Sequence, residues 1–228
     1  TDVLGDPDSA HLDYDTVVRR FSIQEAFSAD ALNDANVRTH IGDELGRRRD
    51  LRSQPCVTID PEAAQDHDDA VAIERTAKNG YRLFVHIADV SHYVREETAL
   101  DREALQRGCS TYLIDRVVHM LPEELAAKQC SLVPGEDRLA ITVEIEMGTD
   151  GQVILSDIYE SVICSQARLN YGQVQSVLDG NETGDDGLGE WNERLHWMAE
   201  LSQLRQEIRL ERGSLDLDVP EAVIALDE

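Results

Sequence analysis

The stretch CVTIDPEAAQDHDDAVAIE, residues 56–74, places an acidic loop between two apolar runs. The runs Cys56–Ile59 and Ala70–Glu74 contain β-branched residues and predict two strands. A third strand is predicted over Tyr81–Ile87. The tripeptide Lys78-Asn79-Gly80 precedes it and predicts a hairpin in which both central residues take positive φ.

Outward from this stretch, strands and helices are mixed without an internal repeat. A helix is predicted from Thr98 to Gln106, ended by Gly108, and another over Tyr171–Leu178. A second hairpin is predicted, with strands Leu139–Glu146 and Val153–Val162. The pattern predicts an α+β fold with a mixed, mainly antiparallel sheet and packed helices.

A long amphipathic helix is predicted in the C-terminal third of the chain. Its apolar residues recur every three or four positions and form one stripe: Trp191, Leu195, Met198, Leu201, Leu204 and Ile208. An aromatic and methionine stripe can line a cofactor pocket, but polar Glu and Arg on the opposite face favour a core-facing helix.

Charge is the unusual feature of the composition. The 228 residues contain 21 Lys and Arg against 46 Asp and Glu, a formal net charge of −25. Such acidity repels polyanions and by itself argues against nucleic-acid binding, whose usual footprint is basic. It fits a carboxylate site that binds cations, a basic partner or domain outside this chain, or a protein from a salty cytoplasm, and composition does not choose among them.

The sequence also bounds the cellular setting. No run approaches 18 consecutive apolar residues and no signal peptide opens the chain, so we expect no membrane span. Cys56, Cys109, Cys130 and Cys164 lie far apart without a Cys-x-x-Cys pair, which indicates reduced thiols in a cytoplasmic protein. Because the chain begins with Thr1 rather than Met, we expect it to be cut from a longer protein.

The acidic loop is the candidate site. Five acids and no Lys or Arg lie between Asp60 and Asp69. Two charges ~4 Å apart repel by about 1 kcal/mol in water, but by roughly 4 kcal/mol at the edge of a core, where the flanking strands place this loop. Converging carboxylates there require a counter-charge. Hard oxygen ligands without His or Cys partners indicate Mg²⁺ or Mn²⁺.

The acidic loop has other interpretations. A solvated acidic loop needs no ligand. A calcium EF-hand requires a Gly at its sixth position and a Glu at its twelfth, and neither is present. A two-carboxylate glycosidase does not need four Asp so close together. His67 stands between Asp66 and Asp68 and is either a ligand or, as strand alternation favours, a side chain turned to packing or solvent.

The loop also carries a family resemblance. Asp60-Pro61 followed by Asp66, Asp68, Asp69 and Ala70 resembles the Asp-Pro-x4-Asp-x-Asp-Asp-Ala signature of the ribonuclease II / ribonuclease R family, in its catalytic RNB domain. Further matching landmarks occur in the same order: Arg49–Arg52, Val85–Ser91, Arg107-Gly108, Ser110–Leu113, Met120–Leu125, Cys130–Leu132, Arg138–Ala140 and Arg168–Tyr171. Asn170 stands where the family usually has Thr.

The resemblance implies a processive, hydrolytic 3′-to-5′ exoribonuclease that releases nucleoside 5′-monophosphates from single-stranded RNA. Asp60, Asp66, Asp68 and Asp69 match the four family aspartates around the magnesium ions. We expect Asp68 and Asp69 to be catalytic, Asp68 matching the aspartate most closely tied to catalysis. Such chemistry suits carboxylates, because two bound metal ions activate water and neutralise the attacking and leaving oxygens.

Two tyrosines are candidate RNA-binding residues by the same resemblance. Tyr112 matches the aromatic that holds the 3′-terminal nucleotide, and Tyr171 matches a second aromatic along the RNA path. Stacking on a tyrosine tolerates every base. An ordinary core or surface tyrosine is the alternative at both positions. A catalytic dyad is one interpretation of His86 and Asp89, but strand alternation favours a structural pair.

The resemblance covers only the front of the catalytic domain. Residues 51–228 resemble the N-terminal part of the RNB domain, and residues 1–50 a connector that follows a cold-shock-type domain. We therefore expect single-stranded RNA as partner, together with a second polypeptide or further segment that completes the domain. The chain alone can be inactive. The alternatives are a non-catalytic RNB-like module that binds RNA or protein, and a metal-dependent hydrolase of another substrate.

Overall fold

The computed structural model describes residues 12–36, 41–64, 66–113, 116–181, 188–215 and 217. These residues divide into two compact units. The helical unit contains the described residues of 12–36 and 91–126, and the sheet unit those of 41–90 and 127–217. The predicted connector, residues 1–50, falls partly outside the described residues.

In chain order the elements are α1 (Leu12–Arg20), α2 (Ala29–Ala35), α3 (Ile41–Glu44), β1 (Arg49–Asp50), β2 (Val57–Asp60), β3 (Asp69–Arg75), β4 (Tyr81–Ala88), α4 (Val90–Tyr93), α5 (Ala99–Arg107), β5 (Thr111–Tyr112), β6 (Val117–Val118), β7 (Asp137–Met147), β8 (Val153–Cys164), β9 (Ala167–Asn170), α6 (Tyr171–Leu178) and α7 (Asn192–Glu211). A π-helical turn covers Glu124–Cys130 and a 3₁₀ turn covers Leu188–Glu190.

The helical unit is organised by the packing of α2 against α5. Thr98 caps the N-terminus of α5 and Gly108, at φ 76°, ends it, which confirms the predicted helix. The carboxylate of Asp34 accepts the backbone N–H of Ala99 at 2.8 Å. Since the first N–H groups of a helix lack intrahelical partners, Asp34 on α2 satisfies one of them and joins the two helices.

The sheet unit is built on seven strands in the order β1-β8-β7-β4-β3-β2-β9. The pairs β2–β9 and β1–β8 are parallel, and the other neighbours are antiparallel. The predicted α+β class with a mixed, mainly antiparallel sheet is therefore confirmed. Both predicted hairpins are present, as β3–β4 and β7–β8.

The turn between β3 and β4 differs from the predicted one. Asn79 has φ 60°, whereas Gly80 has no positive φ, so the expectation that both take positive φ was wrong. The chain turns more widely, with Thr76 donating its N–H to the carbonyl of Gly80 at 3.0 Å. Glycine is needed at position 80 for a different reason: a Cβ there would lie 2.3 Å from the carbonyl oxygen of Met147.

Helices α6 and α7 cover part of one sheet face. Trp191 and Leu195 are buried with Val57 and Val177, and Leu201 is buried in an adjoining cluster. The stripe predicted from sequence is therefore core, as expected. Of the helices in the described ranges, none combines the length and apolarity that a bilayer crossing requires. The four cysteines are free thiols, as expected.

His86 and Asp89 are structural, but the predicted pair between them was wrong. His86 is fully buried on β4, and its Nδ1 lies 2.8 Å from Oγ1 of Thr142. Thr142 in turn lies 2.6 Å from Oγ of Ser161, which donates to the carbonyl of Ala140 at 3.2 Å. Nδ1 of the imidazole therefore bonds to a hydroxyl on the neighbouring strand rather than to Asp89, whereas the buried Nε2 has no hydrogen-bond partner among the described residues.

We expect His86 to make the sheet unit sensitive to acid. Burial lowers the pKa of His86 to about 4, against 6.5 for an ordinary histidine. The unfolded chain therefore binds more protons between these two values, and the free energy of unfolding falls as pH is lowered from 6.5 to 4, by up to about 3 kcal/mol.

Urea denaturation at several pH values from 7 to 4 measures this dependence. His86→Asn keeps a donor near the Nδ1 position but cannot titrate, so its stability is expected to decline less steeply than that of the unaltered chain. Equal slopes for the two proteins would contradict the assignment.

Candidate active site at the acidic end of the sheet

The four candidate aspartates lie at one end of the sheet. Asp60 is the last residue of β2 and Asp69 is the first residue of β3. Because β2 and β3 are antiparallel neighbours, these two positions lie at the same end. Asp66 and Asp68 belong to the segment that connects the strands. The fold therefore brings together residues that the sequence placed in one loop.

The carboxylates of the acidic loop interact electrostatically. Partial burial is the main cause that raises the pKa of Asp68, and the negative charges of Asp66, Asp69 and Asp60 raise it further. Partial burial and the charge of Asp60 also raise the pKa of Asp69. Both effects disfavour the ionised carboxylates, so this end of the sheet attracts a positive charge.

Backbone hydrogen bonds hold the acidic loop in place. The N–H of His67 donates to Oγ of Ser131 at 3.0 Å, and its carbonyl accepts the N–H of Leu132 at 2.8 Å. The carbonyl of Asp68 accepts the N–H of Ala88, the last residue of β4, at 2.8 Å. The loop is therefore bound on one side to the 131–132 segment and on the other to β4.

Arg138 in turn orders the segment that carries Ser131. Its Nε donates to the carbonyl of Ser131 at 2.8 Å, and its Nη2 donates to the carbonyl of Lys128 at 2.8 Å. The same nitrogen also lies 2.8 Å from a carboxylate oxygen of Glu136. A planar guanidinium suits this task, because its several donors point in fixed directions.

A buried ion pair stabilises the β4 side of the site. Nη2 of Arg48 lies 2.6 Å from Oδ2 of Asp89, and the two side chains are 1% and 2% exposed. Asp89 follows Ala88 directly, and its N–H donates to the carbonyl of Leu139 at 3.0 Å. Removing one partner of such a pair leaves a buried charge, which costs roughly 3–5 kcal/mol.

His67 is buried, but strand alternation did not predict its contact. Its side chain is 3% exposed, and Nδ1 lies 2.9 Å from Oδ2 of Asp60. The alternation argument failed because residues 66–68 are not part of a strand; β3 begins only at Asp69. The side chain is packed, which was one of the predicted alternatives. It also contacts Asp60, a candidate site residue.

Tyr171 lies near the aspartates by topology. In the parallel pair β2–β9, Asn170 stands opposite Asp60, and Tyr171 is the next residue and opens α6. Asn170 caps this helix, accepting the N–H of Gln173 at 2.8 Å, while the Gln173 side chain accepts the N–H of Asn170 at 2.9 Å. Asn therefore serves as the helix cap in place of the family's usual Thr. The Tyr171 side chain is 61% exposed.

Tyr112 belongs to the helical unit. It lies on β5, which pairs with β6 in a two-stranded ribbon, and its side chain is 68% exposed. An exposed ring on a short ribbon is available for stacking. Its role in RNA binding stays a prediction.

Among the residues that the structure describes, no three His, Cys, Asp or Glu side chains are arranged to hold a metal ion. The four aspartates therefore stay a predicted ligand set. The donor type fits a hard divalent cation, because it consists of carboxylate oxygens; partial burial and then their mutual repulsion raise the pKa of Asp68.

Sequence reasoning missed the residues that support the loop. Ser131 and Arg138 were noticed only as landmarks of a resemblance, and the contact of His67 with Asp60 was not foreseen. No local pattern reveals these roles, because Ser131 and His67 are 64 positions apart in the chain. The one available signal in the sequence was a histidine inside an acidic loop.

A mixed sheet with an Asp-Pro-x4-Asp-x-Asp-Asp-Ala loop at one end defines the class of domain. The chain belongs to the RNB domain family, whose match covers residues 48–228. Ribonuclease R of Aquifex aeolicus is 44% identical over 229 residues, which cover 100% of this chain and 32% of that protein. The chain thus spans about a third of the length of the curated relatives it matches.

Among the solved structures that resemble the whole chain are two complexes with RNA. One is Mycoplasma genitalium RNase R in complex with double-stranded RNA, with a TM-score of 0.89 and 30% identity, covering 100% of this chain and 40% of that chain. The other is the same protein in complex with ribose methylated single-stranded RNA, with a TM-score of 0.89 and 30% identity, covering 100% of this chain and 36% of that chain.

We expect Asp68→Asn to stabilise the chain at pH 7 in the presence of a chelator. The folded state raises the pKa of Asp68, so the ionised carboxylate destabilises the fold above its pKa. Because the side chain reaches solvent, the gain in unfolding free energy is about 0.5–1 kcal/mol. The gain should vanish as pH falls below the ordinary Asp pKa, where both states are protonated.

Thermal unfolding at pH 7 and at pH 3.5 checks this expectation. Glu62→Gln is the matched control, since it removes one charge from the same loop at an exposed position. A melting temperature lowered by Asp68→Asn at pH 7 would contradict the electrostatic argument.

Proposed function

We propose that the chain is the N-terminal part of the catalytic RNB domain of a 3′-to-5′ exoribonuclease. In this proposal the complete domain hydrolyses single-stranded RNA processively to nucleoside 5′-monophosphates. Residues 51–228 contribute the acidic site, and residues 1–50 connect it to a preceding domain. The observation that carries the proposal is the clamped loop that gathers Asp60, Asp66, Asp68 and Asp69 at one end of the sheet.

The electrostatics of the loop support a metal-dependent reaction. Asp60, Asp66, Asp68 and Asp69 would hold Mg²⁺ or Mn²⁺, since hard cations prefer carboxylate oxygens. When bound, such ions polarise a phosphodiester and lower the pKa of water. The role of the chain's own residues is to present the four carboxylates on a backbone that hydrogen bonds hold in place, so that their mutual repulsion does not separate them.

The relatives support RNA as the substrate class. Two of the solved structures of Mycoplasma genitalium RNase R that resemble this chain are complexes with RNA, one of them with a ribose methylated single strand. In the proposal, Tyr112 holds the 3′-terminal nucleotide by stacking and Tyr171 lines the path of the strand. Each stacked base contributes about 1–3 kcal/mol without selecting a sequence. The cytoplasm, where the substrate is made and the thiols stay reduced, is the proposed location.

We expect Asp68→Asn to reduce the release of nucleoside monophosphates by about 10³-fold, because it removes a carboxylate ligand of the metal ions that would neutralise charge in the transition state. The assay uses 3′-labelled single-stranded RNA with Mg²⁺, with and without chelator. It is run on the chain alone and with a polypeptide carrying the remaining part of the RNB domain.

Glu62→Gln provides the control, since it alters the same loop at a position outside the family signature. Its release rate should stay within about threefold of the unaltered chain. Release that survives Asp68→Asn would contradict the catalytic role of Asp68. No release under any condition, even with the remainder added, would favour a non-catalytic module.

We expect Tyr112→Ala to raise the KM for RNA by about tenfold or more, in keeping with the loss of one stacked base. Tyr112→Phe keeps the aromatic face and should leave KM nearly unchanged. Steady-state kinetics with RNA of two unrelated sequences measures both. Equal effects of the Ala and Phe variants would assign the contribution to the hydroxyl instead of the ring.

A further inference from the structure

His67 is a buried polar side chain inside an acidic loop. Its side chain is 3% exposed, whereas Asp68 and Asp69 beside it are exposed. The imidazole Nδ1 lies 2.9 Å from Oδ2 of Asp60. Because an ionised carboxylate only accepts hydrogen bonds, Nδ1 carries the proton and donates it to this contact.

Hydrogen bonds of the His67 backbone fix the position from which the imidazole extends. The N–H and the carbonyl of His67 both bond to the 131–132 segment, through Oγ of Ser131 and the N–H of Leu132. Ser131 is fully buried, and Arg138 holds its carbonyl. The direction in which Nδ1 donates is therefore set by a part of the chain that lies far away in sequence.

This geometry constrains Asp60. One of its oxygens, Oδ2, accepts from His67, and the other remains for another partner. A carboxylate ligand oriented by a hydrogen bond binds metal more tightly than a freely rotating one, and loss of such an outer contact typically costs 10–100-fold in metal affinity. A side chain that only filled space would not need a donor here.

We infer that His67 is a positioning residue, which holds one oxygen of the Asp60 carboxylate and leaves the other for a divalent cation. The inference rests on the proposed function, because it assumes that Asp60 is a metal ligand. It adds a residue outside the four aspartates of the signature and assigns the effect to one atom, Nδ1.

The test is titration of the 228-residue chain with Mn²⁺ alone, followed by electron paramagnetic resonance. His67→Phe preserves most of the volume but removes the donor, and is expected to weaken Mn²⁺ binding by about tenfold. His67→Asn places an amide N–H near the position of Nδ1 and is expected to stay within about threefold. Thermal unfolding in chelator shows whether each variant is folded.

Ser131→Ala is the second variant, in case His67→Phe does not fold. It removes the hydrogen bond to the N–H of His67 without altering a carboxylate, and it is expected to weaken Mn²⁺ binding by about threefold. Equal weakening by His67→Phe and His67→Asn, or unchanged binding in both His67→Phe and Ser131→Ala, would overturn the inference.

Failure of the inference and failure of the proposed function give different results. If the unaltered chain binds Mn²⁺ and Asp68→Asn weakens binding while His67→Phe does not, only the positioning role is overturned. If the unaltered chain shows no saturable Mn²⁺ binding, or Asp68→Asn leaves it unchanged, the metal site itself is wrong, and the inference falls with it.

Discussion

Repulsion among four carboxylates at one end of a sheet is the constraint on which the site depends. Left to itself, the loop would relax so that the charges separate. The protein prevents this by fixing the backbone between them: His67 is bonded at both its N–H and its carbonyl, and the carbonyl of Asp68 is bonded to β4. A hydrogen bond contributes about 1 kcal/mol net, so these bonds offset only part of the repulsion, which is roughly 1–4 kcal/mol for each close charge pair.

The support of the loop extends deep into the sheet unit. Arg138 orders the segment that is hydrogen-bonded to His67. Asp89, which forms the buried ion pair with Arg48, directly follows the β4 residue that is hydrogen-bonded to Asp68. The rest of the sheet unit thus holds the acidic end in a conformation that lowers the stability of the fold. Cation binding can restore this stability, since a ligand that binds only the folded state stabilises that state.

The net charge of −25 is compatible with a protein that handles RNA. Several arginines of the sheet unit are engaged with nearby carboxylates, such as Arg49 with Asp157 at 2.8 Å and Arg52 with Asp137 at 2.9 Å. These cations serve the fold. Because the chain spans about a third of the length of its curated relatives, the charge of this part does not set the field that a complete protein presents to RNA.

The sequence by itself determined the elements whose patterns are local. Apolar runs with β-branched residues predicted β2, β3 and β4, periodicity predicted α7, and helix start and stop signals predicted α5 and α6. The loop signature by itself pointed to the RNB family. The tertiary structure decided what depends on contacts between distant residues: the wider turn at Asn79, the partner of His86 on a neighbouring strand, and the bonds from Ser131 that orient His67 toward Asp60. Local patterns report propensity and burial, whereas the direction of a side chain in a loop is set by whichever strand or segment the fold brings beside it.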